Sequence, residues 1–550
     1  MHRVAFRLRR LCMCSLLAGG LLLVAAFAHA WYPAPAGAAS SPDAACSGCH
    51  AAIYTSYERT SMARGSGPAL LAFNPGSFTD AKSGVSYRIF QRNGQATMTA
   101  TRPFTAPGGA LQTEHRLDWF IGSGKHGRTY LYRQSGMLWE LPINWYTRRA
   151  AWDMAPAYSG NATLPAPLPS DAACLHCHVT GIAASTGTAR NALPDPPFAQ
   201  AGIGCSSCHG DPAAHLAAGG HGPIVNPDKL TPARRDSACI TCHLEGDAVI
   251  FRPGRSPADF KPDDTLNDLA VYFVRASENS GGSRASSQYE AMMQSACKRG
   301  SGDRLTCTTC HDPHSQPTAA ERVQFYRAKC LACHTSPALA TNHHPEQPDC
   351  ASCHMPTRTT SDISHEQAVD HNIQRTPATQ RTSKSGELMP VSGFTSGTRE
   401  LGLAYAQLAR QGDQSSGRRA LALLTDAAEH GATDAQVLLN LGFLYQVSGH
   451  PAQAATAYKQ VLKTEPYEPA ALGNLAVLEA GNGQVPAAKA LLQTLIDADA
   501  SQTAAGMNLV LLQCRTGDSA GAKATVAKLQ PLNPDAPALH AFQQNGCAMR

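Results

Sequence analysis

Cys174-Leu175-His176-Cys177-His178 opens a run in which the pattern Cys-x-x-Cys-His recurs six times. The later copies are Cys205-Ser-Ser-Cys208-His209, Cys239-Ile-Thr-Cys242-His243, Cys307-Thr-Thr-Cys310-His311, Cys330-Leu-Ala-Cys333-His334 and Cys350-Ala-Ser-Cys353-His354. A seventh copy, Cys46-Ser-Gly-Cys49-His50, stands alone near the N-terminus. The spacing has a chemical reason: two thiols three positions apart can add to the two vinyl groups of one haem, and the next residue presents its imidazole to the iron. Paired Cys-x-x-Cys units also build tetrahedral zinc sites, but zinc does not require a His directly after every second cysteine. The pattern predicts seven c-type haems, held by these fourteen cysteines, with His50, His178, His209, His243, His311, His334 and His354 as proximal iron ligands.

Sites at 307, 330 and 350 lie only 23 and 20 residues apart. A chain so short cannot build a hydrophobic core between bulky porphyrins, so the haems are expected to be the core, with short helices carrying the motifs and little other secondary structure. With 550 residues there is room for several domains around this one. The formal charge of +5 does not argue for a nucleic-acid partner. Arg3, Arg7, Arg9 and Arg10 belong to a leader: a basic start, an apolar run from Leu11 to Ala28, and the small-x-small ending Ala28-His-Ala30. Residues 1–30 are therefore expected to be a signal peptide cleaved after Ala30, giving a periplasmic protein; membrane association is expected only if the leader is retained.

After a Pro/Ala/Ser linker and the first motif the texture changes. Val85-Ser-Tyr-Arg-Ile-Phe90, the pair Asn93-Gly94 and Ala96-Thr-Met-Thr-Ala-Thr101 read as a β-hairpin. Thr129–Arg133, Ser135-Gly136 and Met137–Leu141 read as a second. A small β-rich insert over about 70–160 follows, its aromatics Trp139, Trp145, Tyr146 and Trp152 assigned to packing. Lys125-His126-Gly-Arg128 is its one basic cluster and reads as a solvated turn.

Sixth iron ligands follow from counting. Of 22 histidines, setting aside the seven in motifs, two in the leader and three beyond residue 400 leaves ten. His314, three residues beyond a proximal histidine in Cys310-His-Asp-Pro-His314, is the leading candidate. His215, His221, His371, His343, His344, His126 and His365 complete the candidate set.

The run Gly204-Cys-Ser-Ser-Cys-His-Gly-Asp-Pro-Ala-Ala-His215, with Leu305-Thr-Cys-Thr-Thr-Cys-His-Asp-Pro-His314, Cys350-Ala-Ser-Cys-His-Met-Pro356 and Asp370-His371, resembles the multihaem cytochrome c family. That family includes the tetrahaem electron carrier of ammonia oxidation, and many members are fused to tetratricopeptide repeats. The likeness spans about 43–375 and implies periplasmic electron transfer, or, for catalytic relatives, an additional open-site haem. The lysine-bearing Cys-x-x-Cys-Lys motif of related nitrite reductases is absent. Two neighbourhoods where relatives place a histidine read Thr60-Ser61-Met62 and Gln294-Ser-Ala-Cys297 here. Met62, Met293 or Cys297 is then an alternative ligand, or one haem is left five-coordinate, or these are ordinary packing residues.

Residues 376–398, part of a Thr/Ser/Gln/Pro-rich stretch, read as a linker. Beyond it a 34-residue period appears: Leu441, Gly442, Tyr445, Ala454, Tyr458, Val461 and Pro466, then Leu475, Ala476, Ala488, Leu492 and Leu495, then Leu509, Val510, Ala522, Val526, Leu529 and Pro534. Ala420, Leu424 and Ala427 mark an irregular first unit, and Asp535–Gln544 a capping helix. Residues 399–550 are thus expected to form an all-α solenoid that binds a protein or peptide, docks back on the haem domain, or dimerises. Cys514 and Cys547 are either a disulfide or two free thiols.

The fold class expected is mainly α: a heptahaem cytochrome domain over 43–375 with its β insert, then the solenoid. Two functions fit. One is electron transfer along seven haems between redox partner proteins, with the repeats recruiting a partner. The other is oxidation or reduction of a small nitrogen or sulfur compound at one open-site haem.

Overall fold

The computed structural model describes residues 42–103, 111–158, 167–275, 287–335, 347–357, 369–375, 386–533 and 536–548. The leader, His343, His344 and His365 lie outside them. Helix exceeds strand among the described residues, and none of their helices is long and apolar enough to cross a membrane.

The β region is larger than the sequence implies. Ten strands run from Ser66 to Pro169: β1 Ser66–Pro68, β2 Gly76–Thr79, β3 Ser86–Arg92, β4 Gln95–Arg102, β5 Leu111–Arg116, β6 Trp119–Ile121, β7 Gly127–Gln134, β8 Met137–Tyr146, β9 Ala151–Met154 and β10 Leu168–Pro169. β2–β5 form a four-stranded meander; β1-β6-β7-β8-β10, with β9 also on β8, form a second sheet. Both expected hairpins are present. β3 and β4 turn at Asn93 and Gly94, with φ of 51° and 75°, and β7 and β8 at Ser135 and Gly136, with φ of 52° and 78°. Positive φ at both central residues matches the right-handed strand twist. Tyr87, Ile89, Met98, Tyr130, Leu141 and Trp152 fill the space between the sheets. Trp139, Tyr146 and Trp152 are buried, and Trp145 meets Trp152 edge-on, so these aromatics are packing residues as expected.

The motif region carries more regular structure than expected. Val179–Ile182 pairs with Phe198–Ala201, and Ala248–Phe251, Ala270–Arg275 and Leu388–Pro390 form a three-stranded antiparallel sheet. The last strand lies in the stretch read as linker. Sixty-odd residues separate the fourth and fifth motifs, enough chain for a hydrophobic core of Ile240, Leu244, Ile250, Leu266, Val271 and Phe273. That core continues into Leu403, Leu424 and Leu441 of the helical region. From Cys307 onward the picture inverts: none of the described residues in 307–335 and 347–357 is buried.

Four antiparallel helix pairs follow: Thr398–Arg410 with Gln414–Glu429, Ala435–Val447 with Pro451–Thr464, Pro469–Gly481 with Val485–Ala498, and Thr503–Arg515 with Ser519–Leu529. Helix Pro537–Asn545 closes the stack. The expected period is kept, first helices starting at 435, 469 and 503. Small residues sit where helices cross; a Cβ on Gly442 would lie 2.5 Å from the Tyr458 ring. Cys514 and Cys547 form a disulfide that ties the cap to the last repeat. The solenoid also docks back: Gln134 Nε2 donates to Pro531 O at 2.5 Å, and Thr188 Oγ1 to Ala498 O.

Candidate haem sites

Three of the motifs start on a short helix whose first turn is set by a polar residue just before it. Asp171 accepts from Ala173 N, Asp349 from Ala351 N, and Thr306 forms a capping box with Thr309. One helical turn brings two cysteines three apart to the same side of the chain. Two caps reach across the fold instead. Asp43 accepts from Cys205 N at 2.9 and 3.1 Å and from Gln200 Nε2 at 2.7 Å, so residues before the first motif hold the third. Asp236 Oδ1 accepts from Cys307 N at 3.2 Å, tying the fourth motif to the fifth. Both aspartates are buried and stand three residues before a motif cysteine, as Asp171 does. That recurrence is the sequence signal from which they could have been found.

The motif cysteines approach one another across motifs. Thiols of Cys46 and Cys205, Cys177 and Cys242, Cys239 and Cys307, and Cys330 and Cys350 are within hydrogen-bonding reach. Cys208 feels the charges of Cys239 and Cys242, and Cys310 those of Cys297 and Cys333. Every motif therefore neighbours another: first to third, third to fourth, fourth to fifth, fifth to sixth and sixth to seventh, with the second beside the fourth. At that last junction His176, Cys177 and Cys242 cluster within 4.8 Å. His176 Nδ1 lies 3.1 Å from the Ala173 carbonyl, and its Nε2 lies 3.1 Å from Cys177 Sγ and 3.2 Å from the Thr241 carbonyl.

Two histidine pairs stand out. The rings of His209 and His314 are near parallel, 11° apart, with centroids 6.0 Å apart. Those of His311 and His371 are 6.2 Å apart. Two imidazoles bound to one metal through bonds of about 2 Å have centroids roughly 6 Å apart. Nδ1 of His209, His354, His371 and His215 faces the carbonyls of Val225, Gln374, Val369 and Gly222 at 2.8, 2.6, 2.9 and 3.0 Å. A carbonyl there fixes the proton on Nδ1 and leaves Nε2 as the donor atom. Burial, then the neighbouring His371 and His243, pushes His311 down to about 4; burial also lowers His314 and His243. A neutral imidazole is the form that binds metal.

The remaining candidates are scattered. His221 and His126 are exposed, and Arg128 turns over the Phe120 ring, 5.1 Å from its centroid, rather than joining Lys125. Met62 O accepts from Ile203 N, holding its loop beside the third motif. Met293 lines a cavity of about 190 Å³ with Asp236 and Lys298. Cys297 is half-buried beside the fifth and sixth motifs, and burial pushes its thiol up.

The donor set fits haem. An isolated helix of ten residues is marginal in water and needs a buried face, yet Arg322–Leu331, Cys307–Cys310 and Cys350–His354 bury no side chain in protein. A porphyrin bonded to the cysteines would supply that face.

Comparisons agree with this architecture. Residues 151–210 match the family model for cytochrome c554 and c-prime, residues 300–339 that for a doubled CXXCH motif, and residues 447–507 that for a tetratricopeptide repeat. Solved structures similar to the chain include a tetratricopeptide repeat protein from Parabacteroides merdae (21% identity, TM-score 0.24), of which 27% of this chain covers 59%. MamA (17%, TM-score 0.25) matches 28% of this chain and 84% of its own. YrrB, described as a TPR protein with an unusual peptide-binding site (18%, TM-score 0.23), matches 27% of this chain and 80% of its own. Among curated proteins no sequence matches. Segments of the chain thus match models of c-type cytochrome haem motifs and of a tetratricopeptide repeat.

Proposed function

We propose that this is an exported, periplasmic electron-transfer protein carrying seven covalently bound haems, one per motif. Each bound haem supplies one reversible electron at its iron. The protein's part is to hold the attachment sites in sequence, to orient the ligating imidazoles through their Nδ1 carbonyl contacts, and to keep those imidazoles neutral. The observation that carries the reading is the unbroken series of thiol neighbours from the first motif to the seventh. It supports a relay with two entries, the first and second motifs, which converge on the fourth. His314 is assigned as the partner of His209, and His371 as the partner of His311. The Cys514–Cys547 disulfide supports an oxidising compartment.

The repeats are assigned to a protein or peptide partner. Val447, Val477 and Leu511 are exposed on their first helices, a surface the docking contacts at Pro531 and Ala498 leave free.

Intact-protein mass with optical and EPR spectra of the oxidised protein tests the proposal. Seven attached haems, all low-spin, are expected. Fewer attached haems overturn the count. A high-spin ferric signal shifted by nitrite, hydroxylamine or a sulfur oxyanion would replace the relay with catalysis at an open site.

A further inference from the structure

A cavity of about 280 Å³ lies between the β region and the last repeat. Met98, Tyr132, Leu141 and Tyr158 line it from the sheets, and Met507 and Ala536 from the helices. This is just below the usual range for ligand pockets, roughly 300–1,000 Å³, and suits a small molecule. Two polar side chains enter it from opposite regions. Glu140, on β8, accepts from Tyr158 Oη through its carbonyl, while its carboxylate has no hydrogen-bond or ion-pair partner among the described residues. Asn533, just past the last repeat, is only 7% exposed, and its carboxamide likewise has no partner among them. Among the described residues no lysine or arginine lines the space, and its His115 is engaged with Thr113 at 2.9 Å.

Both groups face the cavity rather than a partner side chain among the described residues. Burial accordingly pushes the Glu140 carboxyl up to about 7. An ammonium would restore the carboxylate, and tyrosine rings alongside attract the same charge. The thioethers of Met98 and Met507 suit an apolar or aromatic body. We infer that this cavity binds a small organic amine, its ammonium on Glu140, a second polar group on Asn533 and its apolar body between the methionines and tyrosines. Such a ligand bridges the β region and the repeats, so its binding is linked to their docking.

Isothermal titration of the full-length haem-loaded protein with tyramine tests this. Tyramine carries the ammonium, the ring and a hydroxyl; tyrosol is its neutral counterpart, with hydroxyl in place of ammonium. One tyramine per chain is expected, with tyrosol weaker by roughly thirtyfold or more, as for loss of a buried charge pair. Glu140→Gln should show the same loss, and Ala504→Phe, at an exposed lining position, should abolish binding without touching a charge. Absence of heat with millimolar tyramine overturns the inference, as does equal binding of tyrosol. Unchanged affinity in Glu140→Gln does so too; if that variant does not fold, Ala504→Phe and the tyrosol comparison decide it.

Discussion

Replacing Asp43 by alanine removes a carboxylate that is 3% exposed and accepts from Cys205 N and Gln200 Nε2. Neither donor has room to move: a Cβ on the neighbouring Gly204 would lie 2.7 Å from Asp43 Oδ2. Hydrogen bonds to a charged acceptor contribute about 1.5–3 kcal/mol each, and a buried donor left unpaired costs about 1–3 kcal/mol. Asp43→Ala should therefore destabilise the protein by roughly 3–5 kcal/mol. Asp43→Asn keeps the shape and one acceptor but turns an amide towards a donor, and should lose about half as much. The assay is urea denaturation of the haem-loaded protein followed by the haem absorption band, with intact mass to count attached haems. The third attachment site should be the first lost, because Asp43 starts that helix. A change below about 0.5 kcal/mol with full haem attachment, ordinary for a surface substitution, would refute the claim that the two motifs are locked together here.

Other substitutions probe other levels of the structure. His314→Ala should convert one low-spin haem to high-spin, read by EPR, while Asp312→Ala, which leaves the imidazole in place, should not. Glu140 has a raised folded-state value near 7 against about 4.3 unfolded. The protein should therefore lose stability relative to Glu140→Gln as pH rises from about 4 to 7, by up to about 3 kcal/mol. The two should converge below pH 4 in denaturation curves at fixed salt. Gly442→Ala places a methyl against the Tyr458 ring and should cost about 1–3 kcal/mol by overpacking, lowering the melting temperature without altering the haem spectra.

Local chemistry was legible and distant pairing was not. Cys-x-x-Cys-His and the 34-residue period state their purpose within one unit, and Asn93-Gly94 and Ser135-Gly136 dictate hairpins through their own backbone freedom. By contrast β1 pairs with β6 more than fifty residues on, register Ser66 to Ile121, and no local signal specifies such a partner. Leu388–Pro390 is three residues of strand in a polar stretch, recruited by the exposed edge of Ala270–Arg275. His314 was recognisable as a candidate ligand because a motif histidine stands three residues away, yet its ring neighbour is His209, over a hundred residues earlier. Asp43 and Asp236 share a position three residues before a motif cysteine, but the motifs they act on lie 162 and 71 residues away, and nothing local names those partners.

The strand Leu388–Pro390 has a consequence for how such a protein can be taken apart. Its first residue donates to Tyr405 OH of the first repeat helix, and Arg275 on the adjacent strand pairs with Asp413. The seam between cytochrome and repeats is thus stitched from both sides. Cutting the gene at residue 398 would strip the sheet of the helix that covers it and bare Leu403 and Leu408 on the other fragment. The two halves should be inherited, expressed and purified as one piece, and whatever the repeats grasp is held at a fixed bearing to the metal-carrying half rather than swung on a tether.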